Sequence, residues 1–317
     1  MPAETSPKDR LFIPENQRFA NQSALVTGAS KPDGIGAALA RGVAYYGARG
    51  VFMTAMPQSA ELGARLVAEV KAEGVYGTWV GADLSNLDGV ETIIEEMKNH
   101  REEFGESYRL LFLNAGVPFD ERFEDLSYDN LRKSLAVNLE SAMMLSSRAL
   151  KEGLLPRGYG RVVVTGSFVA YGNKGGQESY GASKAGLAGF IANAAQDLGE
   201  FGITVNGVFP GFIDTEMTEK VPPMFREAYT VGAAVGRLGW PEDVAFHMLH
   251  FADPRSGFVT GQTLVVDGGI GNPAVIRRLL ENGYLRVSPE ERRLVMTSRR
   301  QARQVQAEAN SEGQNTL

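Results

Sequence analysis

Short apolar runs alternate along most of this chain with longer stretches whose apolar positions recur at helical spacing. The runs predict strands at 23–27, 51–55, 78–82, 110–113, 161–165, 203–208 and 264–266. The longer stretches predict helices at 35–46, 60–73, 90–103, 128–150, 180–199 and 241–251. Strands too short and apolar to alternate in polarity belong to a parallel sheet covered on both faces. Strand and helix in alternation, joined by right-handed crossovers, predict an α/β fold: a Rossmann-type doubly wound sheet of seven parallel strands in a single domain. The flanks break the pattern. Residues 1–20 read as an irregular arm before a domain at 21–270. Residues 271–317 read as an extension with helices at 273–282 and 289–306 and a polar, disordered tail at 309–317.

Composition narrows the class. At 317 residues the chain is near the upper limit for one hydrophobic core, and 43% hydrophobic with 22% charged residues is ordinary for a soluble globular protein. The absence of cysteine excludes disulfides, thiolate nucleophiles and cysteine metal sites. No apolar run approaches the ~20 residues that cross a bilayer, and the first ten residues lack the apolar core of a secretory signal, so a cytoplasmic location is expected. Asn21-Gln22-Ser23 matches a glycosylation acceptor only by chance on that reading. The net charge of −6 argues against nucleic acid as a partner. It is uneven: residues 270–317 carry +3 and the remainder −9.

The first candidate site is Thr27-Gly28-Ala29-Ser30-Lys31-Pro32-Asp33-Gly34-Ile35-Gly36, between the first predicted strand and the first helix. Glycine there permits a tight turn and close approach of a diphosphate to unpaired helix N–H groups, so Gly28, Ser30, Lys31, Gly34, Ile35 and Gly36 are expected to hold a dinucleotide. A carboxylate at the end of the second strand normally accepts from the ribose hydroxyls of NAD. Here that position is Ala55, no Asp or Glu occurs between Gly34 and Ala60, and Lys31 and Arg49 supply positive charge. A 2′-phosphate is attracted by a cation and repelled by a carboxylate, so the expected cofactor is NADP(H). The alternative is that Lys31 is simply exposed and either cofactor binds. Asp83 and Leu84, just past the third strand, are placed for the adenine, and Asn114, Ala115 and Gly116 lie at the same sheet edge past the fourth.

The second site is Ser179-Tyr180-Gly181-Ala182-Ser183-Lys184, opening a helix. Tyr180 and Lys184 are four apart and share a face. An adjacent ammonium and an oxidised nicotinamide would both lower the phenol's pKa from its usual ~10, letting Tyr180 exchange a proton with a carbonyl oxygen. Ser167, at the end of the fifth strand, can donate to that same oxygen. Asn138, polar within an apolar helix, reads either as a satisfied core amide or as the holder of a water linking Lys184 to solvent. His247 and His250 are three apart on a helix, but no third ligand is near, so no metal is expected.

Together, Thr27-Gly28, Gly34-Ile35-Gly36, Asn114-Ala115-Gly116, Asn138, Ser167 and Tyr180 with Lys184 resemble the short-chain dehydrogenase/reductase family in order and spacing, over about residues 20–270. Within it, 172–177, Pro210–Thr215 and 236–239 are most similar to 3-oxoacyl-(acyl-carrier-protein) reductases. The resemblance implies that Pro210, Gly211, Ile213 and Thr215 cradle the nicotinamide carboxamide. It also implies an NADP(H)-linked oxidoreductase, a homotetramer in the family's usual form, acting on a small-molecule or acyl-thioester substrate that could be carrier-bound, without a catalytic metal; the lack of an apolar span adds the expectation of no membrane partner. The expected reaction is reduction of a ketone, a 3-oxoacyl thioester or related β-keto compound. The alternatives are oxidation of a secondary alcohol in a specialised pathway, and a non-catalytic cofactor-binding protein. Three departures stand out: five residues rather than three between Gly28 and Gly34, no arginine at 158 or 201 where the resembled reductases dock their carrier, and the extension after Ile270. Phe119, Phe123, Tyr171, Met217, Met224 and Phe225 suggest an apolar substrate pocket.

Overall fold

The apolar runs become seven strands: β1 Ser23–Thr27, β2 Gly50–Ala55, β3 Tyr76–Gly81, β4 Tyr108–Leu113, β5 Gly160–Thr165, β6 Ile203–Pro210 and β7 Thr263–Val266. They pair in parallel throughout, in the order β3-β2-β1-β4-β5-β6-β7. The computed structural model describes residues 13–104, 108–171, 176–219 and 221–270, without the side chains of Glu103, Phe104 and Met224. The expected helices and tail of the extension, residues 172–175 and most of the amino-terminal arm therefore lie outside the described residues.

Period-two alternation sends neighbouring strand residues to opposite faces. Ala24 and Val26 of β1 join Val51, Met53, Leu110 and Phe112 in one apolar layer, while Leu25 joins Phe52, Leu111 and Leu113 in the other. The first layer is closed by helices α1 Ile35–Tyr45 and α2 Ala60–Ala72, through Leu39, Val43, Leu66 and Val70. The second is closed by α3 Leu87–Phe104, through Ile93 and Met97. The predicted helix at 128–150 is three pieces: α4 Tyr128–Leu135, a π turn Ala136–Glu140 and α5 Ser141–Lys151. Two further long helices are α6 Glu178–Gly199, whose Leu187 and Ile191 pack in the second layer, and, after the short helices α7 Glu216–Glu219 and α8 Pro223–Gly232, α9 Pro241–Ala252, whose Val244 and Met248 pack in the first.

The sheet with its two layers makes a single domain. Among the described residues, 219–238 and 268–270 form a smaller unit of their own. The stretch 218–232, for which the sequence pattern predicts no helix, contains α8, which starts on Pro223 after Pro222, where a proline's fixed φ suits a first helical turn.

The strand order reverses between β1 and β4, whose following helices cover opposite faces. A crevice therefore opens at their carboxyl ends, the place where open sheets of this kind bind ligands.

Candidate active site

The floor of the crevice is a lattice of strand ends. The Thr27 hydroxyl accepts from the backbone N–H groups of Asn114 (2.9 Å) and Ala115 (3.0 Å). The Asn114 amide donates to the Thr27 carbonyl at 3.1 Å and accepts from the Thr165 hydroxyl at 3.0 Å, so β1, β4 and β5 are tied together at the switch point. Gly28 turns the chain with φ +69°, and a Cβ on it would sit 2.9 Å from the Ala115 Cα. A Cβ on Gly36 would run into the Gly28 carbonyl, so α1 can close on the turn only with glycine at both places.

Gly34 caps α1 in an extended conformation, and no side chain bonds the helix's first N–H groups. Backbone donors at such an end suit an anion, and Ser30, buried beneath the turn, completes a lining compatible with a diphosphate. The loop's extra length is spent sideways. Lys31 Nζ meets the Glu216 carboxylate at 2.6 Å, the Asp33 carboxylate accepts from the Glu216 N–H at 2.6 Å, and Arg41 donates to the Pro32 carbonyl at 2.8 Å.

Ala55 ends β2 without a carboxylate beside it. Arg49, expected to add positive charge there, is a correction: it precedes β2, its N–H bonds the Gln22 carbonyl, and it stands at the amino edge, ~20 Å of extended strand from Ala55. The Asp83 carboxylate accepts from the Ser85 N–H at 2.9 Å, closing a local turn. The Leu84 side chain is buried in the second apolar layer, which leaves only its backbone for a ligand.

Ser167, Tyr180, Lys184 and Asn138 gather on the other side of the crevice. Ser167 hydrogen-bonds the Tyr180 hydroxyl. Lys184 Nζ lies 5.7 Å from the centre of the Tyr180 ring and donates to the Thr165 carbonyl at 2.7 Å. Lys184 is only 2% exposed. A Cβ on Gly116 would be 3.2 Å from Lys184 Nζ and 3.3 Å from Asn138 Oδ1, so glycine is the residue that lets these two side chains share this space. Asn138 Oδ1 accepts from the Val117 N–H (2.7 Å). Its Nδ2 faces the Val117 carbonyl (3.1 Å), Ser183 Oγ (2.9 Å) and Ser134 Oγ (3.2 Å). It thereby fastens the π turn to the loop after β4 and to α6.

The titration of the pair differs from the expectation. Burial pushes the Tyr180 phenol up to about 12, against the lowering effect of the Ser167 hydrogen bond, and the Asp120 carboxylate raises it further. Burial alone brings Lys184 down to about 7. The protein by itself does not acidify the phenol, because a desolvated amine near 7 is a weak source of positive charge at neutral pH.

The proposed carboxamide cradle follows β6. The Gly211 N–H bonds the Val266 carbonyl at 2.9 Å, and buried Ile213 forms a parallel bridge to Gly239. Thr218 Oγ1 donates to the Ile213 carbonyl at 2.6 Å and accepts from the Thr215 N–H at 3.0 Å, which holds the segment from Pro210 to Thr215 in a fixed turn.

The family model described as Enoyl-(Acyl carrier protein) reductase matches residues 28–271, most of the chain, from the glycine turn after β1 to beyond β7. The chain belongs to the short-chain dehydrogenase/reductase family. It is similar to the 3-oxoacyl-(acyl-carrier-protein) reductase FabG of Pseudomonas aeruginosa, 38% identical over 78% of this chain and 96% of that protein. Among solved structures it is similar to a short chain dehydrogenase from Burkholderia cenocepacia in complex with NADP, at TM-score 0.73 and 34% identity over 80% of this chain and 99% of that one. It is also similar to the angucycline C-6 ketoreductase LanV with bound NADP, at TM-score 0.74 and 27% identity over 80% of this chain and 96% of that one. As a member of this family the chain is an oxidoreductase.

Sequence reasoning missed several parts of this short-chain dehydrogenase/reductase site. Trp79 of β3 donates its indole N–H to the Ala29 carbonyl at 3.2 Å, reaching past β2 to the glycine turn. The Asp120 carboxylate accepts from the Gln177 amide at 2.5 Å, joining the loop after β4 to the start of the tyrosine helix. Nothing local in the sequence signals the contact of Trp79, because strand pairing sets its place opposite Met53. Of the arginines near the absent docking positions, Arg157 stacks over the Phe201 ring at 4.0 Å and Arg161 is buried over Tyr159 at 4.3 Å. Phe123, Tyr171 and Met217 are exposed, whereas the Met224 side chain lies outside the described residues. No helix among the described residues is long and apolar enough to cross a membrane.

Proposed function

We propose that the protein reduces a ketone with NADPH, the ketone being a 3-oxoacyl thioester or a related β-keto compound. The observation that carries this reading is the Ser167–Tyr180 hydrogen bond above a buried Lys184 at the carboxyl edge of the sheet. Two hydroxyls that meet at one point can both donate to a single oxygen on which charge develops.

The lining fits NADP(H): glycines that admit a diphosphate, an open helix end, a cation at Lys31 and no carboxylate beside Ala55. Gly28, Ser30, Lys31, Gly34, Ile35 and Gly36 would hold its phosphates. Ala55, Asp83, Leu84 and the Asn114–Gly116 turn would line the adenosine and ribose side, and Pro210, Gly211, Ile213 and Thr215 the carboxamide. When bound, the cofactor supplies a hydride to carbon. Tyr180 gives its proton to the carbonyl oxygen, Ser167 holds that oxygen in line, and the product is the hydroxy compound. Lys184, near 7, exchanges a proton at neutral pH and, with Asn138, restores the phenol from solvent.

The test is loss of dihydronicotinamide absorbance with matched thioesters. Consumption of NADPH with 3-oxoacyl-CoA or the carrier-bound form, ahead of an enoyl thioester and of simple ketones, is the expected result. No turnover with any ketone, despite tight NADPH binding, would favour a non-catalytic binder. A preference for secondary alcohols would reverse the direction. The burial of Arg161 and the stacking of Arg157 favour CoA or a free substrate over a carrier protein docked as in the resembled reductases. Self-association as a homotetramer is supported by the exposure of Leu264 and Val265 on the edge strand β7, and light scattering tests it.

A further inference from the structure

Three residues on two distant loops meet above the crevice. Lys31 and Asp33 come from the turn after β1, and Glu216 from the segment after β6. At the sheet edge those strands are three spacings apart, ~14 Å, because β4 and β5 lie between them. The two loops nevertheless close to 2.6 Å at two points: the Lys31 ammonium on the Glu216 carboxylate, and the Glu216 N–H on the Asp33 carboxylate. The bridge thus spans the switch-point crevice itself. The residues that make it possible are the lengthened part of the glycine turn, which carries Pro32 and Asp33.

This arrangement accounts for Asp33. A carboxylate facing a diphosphate would oppose binding, but here it is turned to the Glu216 backbone. It also puts a competitor on Lys31, the cation expected to meet a 2′-phosphate. Both partners of that ion pair are about half exposed, so water and salt screen it and it opens at small cost.

We propose that Glu216 is a cofactor-selecting residue: its carboxylate occupies Lys31 across the crevice, and the 2′-phosphate of NADP(H) displaces it. The inference rests on the reading of Lys31 as the 2′-phosphate partner. NADPH frees Glu216 by taking Lys31, whereas NADH, which has no phosphate to offer, leaves the ion pair closed. Asp33 keeps the backbone of residue 216 tethered in either state, so the exchange of partners does not require the two loops to separate.

Binding of NADPH and NADH, followed by the fluorescence of the reduced nicotinamide, tests this in Glu216→Gln, Lys31→Ala and the double variant. Glu216→Gln removes the competitor, and the NADPH-over-NADH affinity ratio rises about two- to five-fold, the range set by an exposed ion pair. Lys31→Ala lowers the ratio by about ten-fold or more, as loss of a charge-assisted hydrogen bond predicts. In the double variant the ratio equals that of Lys31→Ala alone. If Lys31→Ala leaves the ratio unchanged, the assignment of the 2′-phosphate to Lys31 is wrong and the inference goes with it. If Lys31→Ala lowers the ratio but Glu216→Gln does not raise it, the cofactor reading stands and the role of Glu216 is overturned. A Glu216→Gln gain that persists without Lys31 also overturns it, since that is general repulsion of phosphate and not competition for one cation.

Discussion

Each end of the sheet buries a cation, and the two are treated in opposite ways. At the carboxyl edge Lys184 has, among the described residues, one hydrogen bond to the Thr165 carbonyl, and burial alone governs its titration. At the amino edge Arg161, 3% exposed, donates to the carbonyls of Gly160 (2.8 Å) and Pro254 (3.4 Å) and stacks on Tyr159. Burial draws Arg161 below the ordinary arginine range, but Tyr159 and Asp253 oppose that shift, and Asp253 is itself held by Arg255 and Arg18. A guanidinium so surrounded stays charged. The amine, left with a carbonyl and no counter-charge acting on it, falls to where protons move at neutral pH. A buried cation with opposing charge around it is a structural one. A buried cation without it is fit for chemistry.

The sharpest way to break this contrast is at the phenol. Tyr180→Phe is expected to reduce turnover ~10²–10⁴-fold while NADPH affinity, read by titration, changes little. Lys184→Met should cost ~10²-fold in turnover yet stabilise the fold by ~1–4 kcal/mol at pH 6, measured by denaturant unfolding. The sign follows from its lowered pKa. The buried amine is charged below about 7, where its burial is most costly, and the penalty disappears as pH rises above the ordinary lysine range. A gain that grew with pH would contradict the assignment. Arg161→Met should do the reverse, losing ~2–3 kcal/mol of stability with turnover per folded molecule intact. Smallest is Trp79→Phe. Loss of one hydrogen bond to the glycine turn should raise the NADPH KM ~2–10-fold and move kcat less.

How far the sequence could be read depends on which contacts decide each feature. Strand centres were legible because apolar runs report two-sided burial. The starts of β3 and β4 were not, since Tyr76, Gly77 and Tyr108 join the sheet by pairing with β2 and β1 rather than by their own pattern, and Arg109 sits at a register shift against β1. Helix α3 begins three residues before its apolar period, at Leu87, where the Asn86 side chain accepts from the Gly89 N–H. Tyr180, Lys184 and Ser167 were legible through local spacing. Trp79, Glu216 and the misplacement of Arg49 were not, because each depends on which edge or neighbour a residue meets after the strands are ordered. The titration of Tyr180 and Lys184 was beyond reach for a related reason: desolvation is a property of the packed body.

The π turn at Ala136–Glu140 has a consequence for how this protein can change. One residue added to a helical ring puts everything downstream out of phase by about 100°. Upstream, Ser134 meets Asn138 beside α6; downstream, Leu145 and Ala149 face the apolar layer under the sheet. Substitutions at the exposed positions Met143, Ser147 and Lys151 can therefore drift freely, but removal of a single residue from 136–140 would swing that whole segment round, exposing its greasy side. Insertions and deletions should be lethal to folding here while point changes are tolerated, a difference that a library screened for soluble expression would read directly.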